Sequence, residues 1–209
     1  RSTRVRSSAA SDVYKRQEDN KVTLQIENLY RGKTGFDYRT NIEYTVAADG
    51  SILVNSTIIP STKGVIIPRI GYRMELPEGF ERMRWYGRGP LENYVDRKDA
   101  TYVGVYDELV SDQWVNYVRA QEMGNREDLR WISITNPDGI GFVFIAGDKM
   151  SASALHATAQ DMVDSANHRR LLHKYEVPMR KETVLCLDAN QRPLGNASCG
   201  PGPMQKYEL

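Results

Sequence analysis

The side chains best suited to chemistry stand in one block, Trp85-Tyr86-Gly87-Arg88-Gly89-Pro90-Leu91-Glu92-Asn93-Tyr94-Val95-Asp96-Arg97. Trp85 or Tyr94 could stack on the apolar C–H face of a pyranose while the neighbouring carboxylates and amide bond its hydroxyl groups. The same string also reads without a ligand. Gly87 and Gly89 let a strand end in a tight turn, Pro90 stiffens it, and Glu92, Asp96 and Arg97 form a local charged network. His156, His168 and His173 fit no helical metal-ligand spacing and read as satisfied structural residues, so no metal site is expected. Cys186 and Cys199 belong to no Cys-x-x-Cys or Cys/His cluster, and Cys186 reads as a buried thiol.

The elements that must position these residues are strands. Val22, Leu24 and Ile26 alternate with polar residues, as do Ile42, Tyr44 and Val46, which places one side of each strand on a core. Ile52, Val54, Ser56 and Ile58 continue that period after Asp49-Gly50, so residues 41–59 read as a hairpin. A second hairpin joins residues 129–135 to 140–145 through Asn136-Pro137-Asp138-Gly139. Shorter strands are expected at 83–86, 102–106, 115–118, 151–157 and 184–188, with a last one at 205–209. Thr158 and Asp161 resemble a capping box for one short helix reaching about Ala166. Many short strands with Gly and Pro between them predict an all-β sandwich.

The bulk numbers narrow the partners. In 209 residues, 28 Lys and Arg nearly balance 27 Asp and Glu, so there is no electrostatic case for nucleic acid. The longest apolar runs, such as residues 141–146, fall far short of the roughly 20 that cross a bilayer, and no membrane partner is expected. The first stretch, RSTRVRSSAASDVYKRQ, is rich in Arg and Ser and differs from everything after it. Its end resembles translated sequencing-adapter read-through, so residues 1–17 are expected to lie outside the fold, with 18–209 forming one β-sandwich domain.

The string from Trp85 to Lys98 resembles the signature of the small-chain, or fifth, domain of family 2 β-galactosidases. Val65-Ile66-Ile67-Pro68-Arg69-Ile70-Gly71 is similar to that family's L-P-R-I-G strand. Tyr117-Val118, Gln121-Glu122-Met123-Gly124-Asn125-Arg126 and Trp131 resemble its Y-x-x-P-Q-E-N-G-N-R…W block, and His168 to His173 its H-x-x-x-L segment. The likeness covers Val65 to Leu209. It implies an all-β fold, a large β-sandwich or supersandwich of the galactose-mutarotase type with at most one short helix, joined in the parent enzyme to a TIM barrel. Two barrel glutamates, about 5 Å apart, would there carry a retaining hydrolysis. None of this chain's glutamates lies in those catalytic motifs.

The resemblance makes Trp85, Gly87, Gly89, Pro90, Glu92, Asn93, Tyr94, Asp96, Arg97, Glu122, Gly124, Arg126 and Trp131 structural signature residues. It places the active-site mouth at the loop bearing Gly195, Asn196, Ser198 and Cys199. There the family's G-G-D-D-S-W tryptophan is replaced by about Cys199, and Met123 stands where the family has asparagine, losing an amide donor and acceptor. The implied partners are a β-galactoside or other carbohydrate and the TIM-barrel domain, in a homo-oligomeric parent. No cofactor is expected in this chain, since the family's Mg2+ and monovalent cation belong to other domains. Compartment stays open between cytoplasm and periplasm. A stand-alone aldose mutarotase and a carbohydrate-binding module are the competing readings.

Overall fold

A computed structural model describes residues 10–18, 20–32, 35–164, 170–195 and 200–207. The chain is all-β, as expected, and its strands pair antiparallel throughout the described residues. Where the sequence suggests one sandwich over 18–209, the backbone divides into two compact units, Arg1–Val65 and Ile66–Leu209.

The first unit is a meander of β1 (Ala10–Glu18), β2 (Lys21–Arg31), β3 (Asp37–Ala47) and β4 (Ile52–Pro60), paired in that order. The β3–β4 hairpin turns at Asp49-Gly50 as the pattern predicts, with the Asp49 carboxylate accepting the Ser51 N–H at 2.9 Å. Tyr30 and Tyr38 face each other across β2 and β3 with ring centroids 4.7 Å apart. Within the stretch expected to stand outside the fold, residues 10–17 form most of β1: Tyr14 pairs with Gln25 and Gln17 with Val22. Residues 13–17 are nevertheless exposed, so β1 is held by its backbone pairing rather than by burial.

The second unit contains β5 (Arg69–Leu76), β6 (Arg82–Gly89), β7 (Tyr102–Leu109), β8 (Arg126–Thr135) and β9 (Gly141–Leu155). After them come β10 (Val163–Asp164), β11 (Arg170–Leu171) and β12 (Thr183–Gln191). Six of these strands form a sheet in the order β5-β12-β9-β8-β6-β7, and β10 pairs with β11 as a separate ribbon. The expected β8–β9 hairpin forms, with Asn136 accepting the N–H groups of Asp138 and Ile140 through Oδ1. One sheet face buries Leu76, Met83, Trp85, Leu129, Ile132, Ile134, Ala152, Ala154 and Leu185. A second apolar cluster, Ala120, Met123, Leu155, Ala157, Met162 and Val177, is built largely from loops.

Three expected elements take other forms. The Thr158–Asp161 capping bonds are made, Thr158 N–H to Asp161 at 2.8 Å and Asp161 N–H to Thr158 Oγ1 at 3.3 Å, but they close only a turn. Arg180 grips the Asp161 carboxylate at 2.5 and 3.0 Å, and the chain then enters β10 instead of a helix. Residues 115–118 are not a strand, because the Val115 N–H goes to the Met123 sulfur at 3.4 Å and the Tyr117 N–H returns to the Val115 carbonyl. The expected last strand contains a 3-10 turn at Gln205–Tyr207.

Candidate functional site

The signature block begins on β6, whose alternation turns Met83, Trp85, Gly87 and Gly89 to the core. Trp85 is fully buried, donates its indole N–H to the Arg88 carbonyl at 2.9 Å and packs against Tyr106 at 5.2 Å. The Arg126 guanidinium lies over the indole, 5.1 Å from its centroid. This ring belongs to the interior and cannot stack on a ligand. The strand ends at Gly89 as expected from sequence, but neither glycine takes a positive φ, so their smallness answers to packing rather than to a turn conformation. A Cβ on Gly87 would stand 2.9 Å from the Leu129 backbone, and one on Gly89 would stand 2.8 Å from the Tyr106 ring. They are small so that neighbouring side chains can close over the sheet.

A cis peptide joins Gly89 to the exposed Pro90, and the chain leaves the sheet into a bonded cluster. Glu92 is its hub: one carboxylate oxygen accepts from Arg97 at 2.6 Å and from the Tyr117 hydroxyl, the other from the Gly124 N–H at 2.9 Å. Asn93, wholly buried, accepts the Glu127 N–H at 2.8 Å, and its carbonyl accepts from the Asn125 amide at 2.8 Å. Tyr94 is buried with Arg97 over its ring at 5.1 Å, and its hydroxyl finds no partner among the described residues. Burial, with Glu122 and Glu92 nearby, pushes its phenol pKa strongly upward, so it stays protonated. Arg88 and Lys98 converge on Asp128, at 2.5 and 3.2 Å, and hold that carboxyl below its ordinary range against the cost of burial.

The second block closes around the first. Gly124 gives its N–H to Glu92, and Arg126 reaches Gln113 at 2.6 Å from a buried site that lowers its guanidinium pKa. Met123 sits in the loop cluster and takes the Val115 N–H on sulfur. Trp131 lies on β8 between Tyr86 and Ile145, half-buried, away from Trp85. Glu122 accepts from Arg69 at 2.9 Å.

Asp96 makes a link that residue types do not predict. Its carboxylate accepts the Gly195 N–H at 2.9 Å and the Leu194 N–H at 3.4 Å, tying the signature segment to a position 99 residues along the chain. Gly195 has φ +70°, a conformation that favours glycine, and a Cβ there would press on Pro203 at 3.2 Å. Asn196, Ser198 and Cys199 lie outside the described residues, as does His168.

Other histidines are satisfied structurally. His156 bonds Glu81 at 2.8 Å and the Glu182 carbonyl at 3.0 Å, while His173 bonds the Val118 carbonyl at 2.7 Å. No cluster of three or more His, Cys, Asp or Glu suited to a metal occurs among the described residues. Cys186 is partly buried, and burial raises its thiol pKa.

Sequence reasoning missed Asp188. It is 1% exposed on β12, forms an ion pair with Arg69 at 3.1 Å, and has neither carboxylate oxygen in a well-directed hydrogen bond. Burial raises its pKa to about 7 against the pull of Arg69. Gly71 opposes it in β5, and any larger residue there would collide with its carboxylate. The signal was present: a lone acid directly after the apolar run Val184 to Leu187, and a Gly in the strand that pairs with it.

The whole chain, residues 1–209, matches the family described as the beta galactosidase small chain. The chain belongs to this small-chain family. Among curated relatives, the small-chain sequence is 28% identical to a β-galactosidase of Arthrobacter sp. (strain B7), over 98% of the chain and 21% of that protein. It is 31% identical to a β-galactosidase of Bifidobacterium adolescentis, over 88% of the chain and 18% of that protein. A β-galactosidase of Priestia megaterium is 39% identical over 49% of the chain and 10% of its own length. The chain therefore spans at most about a fifth of each of these relatives.

Proposed function

We propose that this chain is the C-terminal domain of a β-galactosidase that hydrolyses terminal β-D-galactosides by a retaining mechanism, and that it shapes the active-site mouth without supplying the catalytic glutamates. The family match over residues 1–209, against relatives about five times longer, carries this reading. The chemistry of the signature block supports it. Glu92 already bonds Arg97, Tyr117 and Gly124, and Glu122 bonds Arg69, so the acids of both motifs hold backbone and side chains in place. Asp96 fixes Leu194 and Gly195, the residues that lead into Asn196, Ser198 and Cys199, which is how this domain would set a mouth loop against carbohydrate. A supersandwich of the mutarotase type, joined to a TIM barrel, is the architecture this reading entails.

The mutarotase alternative needs a histidine and a glutamate facing each other across a sugar C1. His156 and Glu81 are bonded directly at 2.8 Å, which leaves no room for a carbon between them.

The purified chain is expected to hydrolyse no nitrophenyl β-galactoside, whereas a longer protein that includes it together with a barrel does so. Turnover by the chain alone that survives repurification would overturn the assignment.

A further inference from the structure

Asp-Gly occurs twice in the sequence, at Asp49-Gly50 and at Asp138-Gly139, and Asn-Gly does not occur. Each pair stands at the tip of a hairpin, the first between β3 and β4 and the second between β8 and β9. The two backbones are closely alike. All four residues are exposed, Gly50 and Gly139 have φ +87° and +78°, and nothing lies within 4 Å of where a Cβ would stand on either. The Gly50 N–H donates to the Ala47 carbonyl at 3.1 Å, and the Gly139 N–H to the Asn136 carbonyl at 3.0 Å.

The carboxyl groups differ. Asp49 accepts the N–H of Ser51, two residues on, at 2.9 Å, and that bond holds its carboxyl below the ordinary range. At the other tip the corresponding N–H belongs to Ile140, and Asn136 has taken it. Asn136 Oδ1 accepts the N–H groups of Asp138 and Ile140 at 3.1 and 2.9 Å. The Asp138 carboxyl is left with no hydrogen-bond or ion-pair partner among the described residues.

A neutral aspartyl carboxyl beside a glycine N–H can react with it. The glycine nitrogen attacks Cγ, the N–Cγ bond forms, and the carboxyl hydroxyl leaves as water with the peptide proton, closing a five-membered imide. Water then adds to the imide's main-chain carbonyl and its bond to nitrogen breaks. The chain now continues through Cγ as isoaspartate, with a free α-carboxyl and unchanged mass. Glycine favours the closure because it has no side chain to obstruct it. A carboxyl bonded to a peptide N–H is held in its ionised, unreactive form and must break that bond first.

We infer that Asp138 is a site of spontaneous isoaspartate formation, whereas Asp49, on an equally exposed tip, is protected by Ser51. The product inserts a methylene into the backbone where the Asn136 N–H closes the hairpin on the Ile140 carbonyl at 2.9 Å. The reaction is independent of the function proposed above, because it needs neither a substrate nor the rest of a parent enzyme.

The test ages the full chain at mildly acidic pH near body temperature, one sample folded and one in urea. Trypsin then separates the two sites into residues 40–63 and 131–149. The isoaspartyl and aspartyl forms of each peptide are resolved by chromatography and told apart by an endoproteinase that cleaves at aspartate and spares isoaspartate. In the folded chain, conversion of 131–149 is expected to exceed that of 40–63 at least ~10-fold, the factor that one hydrogen bond of ordinary strength represents. In urea the two rates should draw together. Asp138→Glu, whose longer side chain cannot close the same ring, should abolish conversion in 131–149. The proposal is overturned if folded chain converts 40–63 as fast as 131–149, if the folded ratio persists in urea, or if folded Asp138→Glu still converts. Should Asp138→Glu fail to fold, the ratio measured on the unmodified chain decides the matter by itself.

Discussion

Strand β6 buries Met83, Trp85, Gly87 and Gly89 on one face, whereas every residue of β4 is exposed. Both strands are regular and antiparallel, and β4 is the more apolar of the two. The difference lies in what surrounds them. β6 runs between β7 and β8, and its inward face shares a core cluster with Leu129 and Tyr106. Among the described residues β4 pairs only with β3, and it leaves Ile52 and Leu53 59% and 60% exposed. Hydrophobic residues stabilise a fold by leaving water, so apolar content without cover contributes little. Stability is therefore concentrated in the second unit, around the signature block.

The sharpest way to break this contrast is Trp85→Ala. Truncating so large a buried ring typically costs about 3–5 kcal/mol, which is severe against a total of roughly 5–15 kcal/mol. Urea denaturation should show the midpoint fall steeply, and a nearly unchanged midpoint would mean that the core lies elsewhere.

Next in size is Glu92→Ala, which strips partners from Arg97, Tyr117 and the Gly124 N–H together. An expected loss of about 1–3 kcal/mol reflects groups left unbonded rather than the charge removed. Tyr117→Phe removes one of those bonds and should cost less by the same assay. Equal losses would show that the Arg97 and Gly124 bonds add nothing beyond the Tyr117 bond.

A subtler effect should appear with pH. Asp188 has a folded pKa of about 7, above its ordinary 3.8, so between those values the folded state holds a proton that the unfolded state has released. Its contribution is full at the acid end and declines as pH rises to about 7. Glu127, also raised by burial, acts in the same direction. Melting temperatures measured across this window should fall less steeply in Asp188→Asn than in the parent, and an unchanged slope would assign the decline to other groups.

The smallest effect is expected on β4. Leu53→Thr should change stability by no more than about 0.5 kcal/mol, as surface substitutions usually do. A loss comparable to that of Trp85→Ala would show that β4 is covered after all and would erase the contrast.

Much of this architecture was legible in the residues. Period-two alternation located β2, β3 and β4, and Asn136-Pro137-Asp138-Gly139 located the β8–β9 turn. Alternation identifies a strand but does not say whether anything covers its apolar side, which is why β4 was expected on a core. Gly87 and Gly89 suggested a turn because glycine's backbone freedom is a local property, while their role here is spatial and depends on Leu129 and Tyr106, 17 or more residues away. The pair Thr158 and Asp161 makes its capping bonds as the residue types imply, yet the path of the chain beyond that turn is decided by Arg180 and the β10–β11 pairing. The Asp96 bond to Gly195 could not be read at all, since nothing in either segment names the other.

That last bond leaves a freedom in its wake. Asp96 receives peptide N–H groups, which every residue except proline possesses, so the anchor is indifferent to side-chain identity. Gly195 is constrained by its backbone angle and by Pro203, but the carboxylate does not dictate the residues written after it. Asp96 can thus hold Leu194 and Gly195 whatever side chains follow them. Sequences exchanged at residues 196–199 would inherit the same mooring, making this junction a natural place for substitution without redesigning the sheet.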